Sequence, residues 1–112
     1  MMRDATTAVE RAVESELVFR RVNNDIEASA SENGSDHAMF LCECDDPRCH
    51  TGIELSLDEY RSIRNNPTYF VVAAGHEGEL SGWSRVVYWS LGSSVVERLG
   101  YAGALAAAAH RN

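Results

Sequence analysis

The chain contains no lysine: its 10 basic residues are all arginine, set against 17 acidic ones for a net charge of -7. So little positive charge argues against broad binding to a phosphate backbone, which requires a basic surface that displaces counterions. Nucleic acid is therefore not an expected partner. Proline is scarce, with only Pro47 and Pro67, and no run approaches the roughly 18 to 20 apolar residues of a membrane span. The densest apolar stretch, Ala102 to Ala109, is short and alanine-rich. The opening Met1-Met2-Arg3-Asp4 leads into polar, acidic residues and lacks the apolar core of a signal peptide, so a reducing cytoplasm is the expected compartment. Cysteine is limited to 3 residues. An odd number leaves one thiol over in a closed disulfide framework, whereas metal ligation leaves none.

What is present fits one globular domain over 1–112, with 45% apolar and 24% charged residues. A domain of this length buries one modest core, to which a bound metal would add stability. All three cysteines fall in Phe40-Leu41-Cys42-Glu43-Cys44-Asp45-Asp46-Pro47-Arg48-Cys49. Thiolates crowded around a proline-containing turn can converge on one small ion, and a fourth donor would complete the tetrahedron that zinc prefers. His76, in Gly75-His76-Glu77, is the favoured fourth ligand, because a histidine after a strand and a glycine approaches freely. His50 competes, although its adjacency to Cys49 would demand a sharp local bend. Glu43, Asp45 and Asp46 are weaker competitors, and His37 and His110 are expected to be exposed. The plainer alternative is that the cysteines simply fill the core, as small buried thiols often do.

A catalytic zinc would keep one position for water and want a base nearby, for which Glu43 and Glu77 are the candidates. Neither lies in a known hydrolase or deaminase pattern. Oxidation of zinc-bound thiolates gives a redox or zinc sensor as another reading. Trp83, Tyr88 and Trp89 form either an aromatic patch for a partner or ordinary core.

From Asp4 to about Ser31 there is neither glycine nor proline, and Val9, Val13, Leu17, Phe19, Val22, Ile26 and Ala30 recur at helical spacing. This predicts a long helix, capped by Asp4 and stopped at Asn33-Gly34, with Phe19, Val22 and Ile26 facing inward and residues 1–18 projecting as an extension. Its length makes a homodimer reasonable. Ala38 to Cys44 predicts a short strand, and Ile53, Leu55 and Leu57 alternate as a second, closing a hairpin whose tip carries the cysteines. Ser56-Leu57-Asp58-Glu59 is a capping box that starts a helix running to about Asn65. Tyr69 to Ala74 reads as a third strand. Beyond Gly78 the pattern weakens: Ser81 and Gly82 suggest a loop, Trp83 to Leu91 fits either element, and Ser94 to about His110 is expected to be helical.

The features from Phe19-Arg20-Arg21-Val22-Asn23 through Phe40-Leu41-Cys42-Glu43-Cys44, Cys49, Ile53 to Tyr60, Ile63-Arg64, Pro67, Phe70-Val71-Val72 and Gly75-His76-Glu77 resemble a small bacterial family, abundant in actinobacteria, whose members have no established activity. The resemblance implies His76 as a metal ligand. The family has proline where this chain has Ala74, and it ends soon afterwards in a segment that Val95-Val96-Glu97-Arg98 and Gly100-Tyr101 resemble, displaced here by Trp83 to Ser94.

These readings combine into an α+β fold: an N-terminal helix, a short antiparallel sheet of about three strands, a capped middle helix and a C-terminal helix, gathered around a structural zinc. The expected role is a cytoplasmic zinc-binding interaction or regulatory module for a protein partner. A thiol-based sensor is the alternative, and a metal-dependent hydrolase the second alternative.

Overall fold

The computed structural model describes residues 2–78 and 83–110, with the side chains of residues 8–78 and 83–109. Helix α1 spans Met2–Glu32, a stretch of 31 residues with no helix breaker. It ends where Gly34 takes φ 75. There the Ser35 amide donates to Ala30 O at 3.0 Å and the Gly34 amide to Ser31 O at 3.1 Å, so a left-handed glycine satisfies the last carbonyls.

Strands β1 (His37–Leu41) and β2 (Gly52–Ser56) form the expected antiparallel hairpin, with Phe40 opposite Ile53. Helix α2 (Leu57–Arg64) starts at the Ser56 box: Glu59 N–H donates to Ser56 Oγ at 3.0 Å, and Ser56 N–H to Glu59 Oε1 at 2.8 Å. Tyr60 on α2 stacks on Phe40 with ring centroids 4.4 Å apart, locking the helix onto the hairpin.

Strand β3 (Tyr69–Ala73) pairs antiparallel with β5 (Ser93–Arg98), which pairs on its other side with β4 (Ser84–Trp89). Helix α3 (Gly100–His110) follows. The α+β class and, among the described residues, the three helices are as the sequence predicts, but the strands among those residues number five, in sheets of two and three. Ser94 to Arg98 is the correction: it is strand, not helix. The β-branched pair Val95-Val96, which itself favours strand, occupies the centre of a sheet whose two neighbours satisfy its backbone, and this overrides the helical spacing read across Val95, Val96 and Leu99.

The inward face of α1 also differs from the expected stripe. Val22 is exposed, while Glu16, Arg20 and Asn23 are buried beside Val13 and Phe19. These polar groups are paired: Arg98 holds Glu16 through two nitrogens, and Arg20 donates to Pro67 O at 2.7 Å and Ala106 O at 3.1 Å. Within the stretch expected to project, Val13 and Glu16 are thus buried, and Glu10 accepts a hydrogen bond from Tyr101 on α3 at 2.6 Å. The Asp4 cap, the Ser81-Gly82 loop and the exposure of His110 lie outside the described residues and side chains. Among the described residues, no helix is long and apolar enough to cross a membrane.

Candidate metal centre

The segment after β1 leaves its hairpin partner and crosses to the second sheet. Cys42 N–H still donates to Thr51 O at 2.9 Å, but the next amide, Glu43 N–H, donates to Val71 O on β3 at 2.7 Å. This is why the strand ends at Leu41 and not at the expected Cys44. In extended backbone, alternate side chains point to opposite sides. Cys42 and Cys44 therefore share one side, and Glu43 faces the other.

Two turns bring in the remaining donors. Asp46 O accepts from Cys49 N–H at 3.0 Å across a turn with Pro47 in its second position, and Asp46 Oδ1 accepts from Arg48 N–H at 3.0 Å. At the end of β3, Ala73 O accepts from His76 N–H at 2.9 Å, and Gly75 supplies the positive φ of 87 that this turn needs in its third position. The turn swings the imidazole back over the cysteines.

One donor atom from each of Cys42, Cys44, Cys49 and His76 lies within 4.8 Å of every other. His76 Nδ1 stands 3.6 Å from Cys42 Sγ and 3.5 Å from Cys49 Sγ. A tetrahedral zinc with ordinary bond lengths requires sulfur-to-nitrogen edges of about 3.5 to 3.6 Å and sulfur-to-sulfur edges of about 3.8 Å. The two measured sulfur–nitrogen edges therefore match that tetrahedron, and the remaining edges lie within 4.8 Å, close enough for the four donors to converge on one ion. All three cysteines are buried and unbridged, and His76 is the least buried of the four.

The electrostatics of the thiols differ. Burial pushes the Cys42 thiol up, and its crowding by Cys44 and Cys49 adds to this, while the Ala73 amide, which donates to Cys42 Sγ at 3.1 Å, pulls the other way. Burial also raises Cys44. At Cys49 burial is outweighed by hydrogen bonding with Thr51, whose hydroxyl is 3.6 Å from the sulfur, and by Cys44 and His76, bringing the thiol down to about 7.

The competing donors stand elsewhere. His50 is exposed and outside the cluster, as are Asp45 and Asp46. His37 is exposed and pairs with Asp36 at 2.8 Å. Glu43 is fully buried, and both of its oxygens are engaged on the side away from the thiols: Oε1 accepts from Val71 N–H at 2.9 Å, and Oε2 from Asn23 Nδ2 at 2.8 Å and Arg64 Nη1 at 3.3 Å. It joins α1, α2 and β3 behind the metal ligands. Asn23 reinforces the join by donating to Leu41 O at 2.9 Å and accepting from Leu41 N–H at 2.8 Å. Glu77 accepts from Ser94 Oγ at 2.6 Å and Gly75 N–H at 3.2 Å, and the Ser94 hydroxyl holds its carboxyl below the usual range.

Sequence reasoning grouped the four residues that the structure brings together, but not this supporting layer. The signal for Glu43 was available in its position between two same-side cysteines; Asn23 and Arg64 stood among the residues of the family resemblance but with no role attached, and nothing marked the Ala73 amide. Compared with known proteins, the chain matches no family model, no curated protein sequence and no solved structure.

Proposed function

We propose that the protein is a zinc-binding module in which the ion is structural, and that it serves in the cytoplasm as an interaction or regulatory module for a protein partner. The convergence of three thiols and one imidazole within 4.8 Å carries this reading. Soft sulfur donors with one imidazole select zinc among common divalent ions, and four protein donors leave a tetrahedral site closed to water. That closure, with Glu43 and Glu77 both committed to hydrogen bonds, favours a structural ion over a hydrolytic one.

The energetics point the same way. Zinc binding to such a site supplies about 10 to 16 kcal/mol at neutral pH. A domain of this size has a net stability of only about 5 to 15 kcal/mol, so the ion decides whether it folds. The partner reading draws support from large apolar side chains in solvent on α1 and β1, Val18, Val22 and Met39. The motif from Phe19 to Glu77 supports kinship with the actinobacterial group.

A thiol-based sensor is the second reading, favoured by the closeness of the sulfurs. Two thiolates would give an electron pair to peroxide and form one S–S bond, while the O–O bond breaks, its oxygens take up protons and leave as water, and zinc is released. A strong chelator tests the first reading: removing zinc should abolish the folded circular dichroism signal, and readdition should restore it. A folded protein after complete zinc removal would overturn it. Zinc release by mild peroxide, reversed by a thiol reductant, would favour the sensor.

A further inference from the structure

The end of β4 and the turn that follows it carry large apolar side chains into solvent. Tyr88, Trp89 and Leu91 are 62%, 68% and 103% exposed. Beside them runs an open groove of about 360 Å³, walled by Leu55 on β2, Ile63 on α2, and Tyr69, Val87 and Val95 on the three-stranded sheet. Tyr88 belongs to both the protrusion and the groove wall. A surface that presents an apolar knob next to an apolar hole is complementary to itself, which is what a two-fold axis demands.

Charge selects the same occupant. The stretch from Val86 to Val96 contains no charged residue, in a chain whose net charge is -7. Two copies this acidic repel wherever their charged faces meet, so an uncharged patch is where they can touch. A basic partner would be drawn to the acidic faces instead. The charges around it are engaged elsewhere: Glu59, which lines the groove, with the Ser56 amide at 2.8 Å, Glu77 with the Ser94 hydroxyl at 2.6 Å, and Arg85 with Glu97 at 2.8 Å. Along β4 the register shifts between Val86 and Tyr88, and such an irregularity blunts an edge against strand addition, leaving face-to-face packing.

We propose that the β4–β5 hairpin is a homodimer interface, in which Trp89 and Leu91 of each protomer seat in the groove of its partner. The interface is independent of the metal reading, since none of its residues touches the cysteine cluster.

Sedimentation equilibrium of the full zinc-loaded chain over a wide concentration range tests it. The wild type should show a reversible monomer–dimer equilibrium. Leu91→Asp and Trp89→Asp should each weaken the dimer by about tenfold or more. Because both side chains are exposed, the variants should keep the wild-type circular dichroism spectrum. Val18→Glu, at an exposed apolar position on α1, should leave the equilibrium unchanged. A wild type that stays monomeric throughout, or a dimer that ignores both hairpin substitutions or yields to Val18→Glu instead, would overturn the proposal.

Discussion

Removing the Glu43 carboxylate should unsettle the fold without emptying the metal site. In Glu43→Ala, Arg64 loses its ion-pair partner at a position where its side chain is only 12% exposed, and the Val71 amide loses its acceptor. Breaking a buried ion pair from one side costs about 3 to 5 kcal/mol, and orphaning a buried amide about 1 to 3 kcal/mol. The two losses share one carboxylate and do not simply add. Arg64 also keeps its bonds to Tyr69 O and the Tyr60 hydroxyl, so a net cost of about 4 kcal/mol is expected, near the middle of the ion-pair range. Glu43→Gln preserves volume and one acceptor for the Val71 amide but turns an NH₂ toward Asn23 and Arg64, and should cost about half as much, roughly 2 kcal/mol. Urea unfolding in excess zinc provides the assay. With a slope of about 2 kcal/mol per molar, the midpoint should fall by about 2 M for the alanine variant and about 1 M for glutamine. Both variants, while folded, should retain zinc, because Glu43 faces away from the ion. An alanine variant within about 1 kcal/mol of wild type, or a folded glutamine variant stripped of zinc, would refute the assignment.

Gly75→Ala should cost about 1 to 2 kcal/mol through its positive φ of 87 alone, since nothing crowds the added methyl; by displacing His76 it should also weaken zinc binding about tenfold in a chelator competition. Gly103→Ala should lower the melting temperature even though alanine is the better helix former by about 1 kcal/mol, because its Cβ would meet the Arg98 carbonyl oxygen at 2.6 Å and overpacking against backbone costs about 1 to 3 kcal/mol. Zinc affinity should rise with pH: burial holds Cys42 and Cys44 protonated, so binding must displace their protons, giving roughly a hundredfold change per pH unit between about pH 7.5 and 8.5, where Cys49 is already mostly ionised, and a steeper change below about pH 7, where Cys49 also releases a proton, by competition with a chromophoric chelator. A flat pH profile would contradict that linkage.

Local chemistry made much of this architecture legible. The Ser56 capping box, the alternation from Ile53 to Leu57 and the Asn33-Gly34 stop each act within a few residues, and each appears where the sequence places it. The clustering of Cys42, Cys44, Cys49 and His76 was legible for a related reason: thiols close in sequence have few alternative roles, and a glycine before His76 marks a turn. Two features were hidden because long-range contacts create them. The inward face of α1 carries Glu16, Arg20 and Asn23, whose burial is repaid only by Arg98, Pro67, Ala106, Leu41 and Glu43 from distant parts of the chain. The apolar spacing therefore places Phe19 and Ile26 against the core as expected but misassigns Val22, which is exposed while its polar neighbours turn inward. Likewise Val95-Val96 is strand because β3 and β4 flank it, information absent from its own neighbourhood.

The most direct test of the central claim is X-ray absorption at the zinc edge of the purified protein, with metal content measured on the same sample. The account predicts one zinc per chain, with three sulfurs at about 2.3 Å and one imidazole nitrogen at about 2.0 to 2.1 Å, the nitrogen disappearing from the shell in His76→Ala. A folded protein without zinc, or a shell that His76→Ala leaves unchanged, would contradict it.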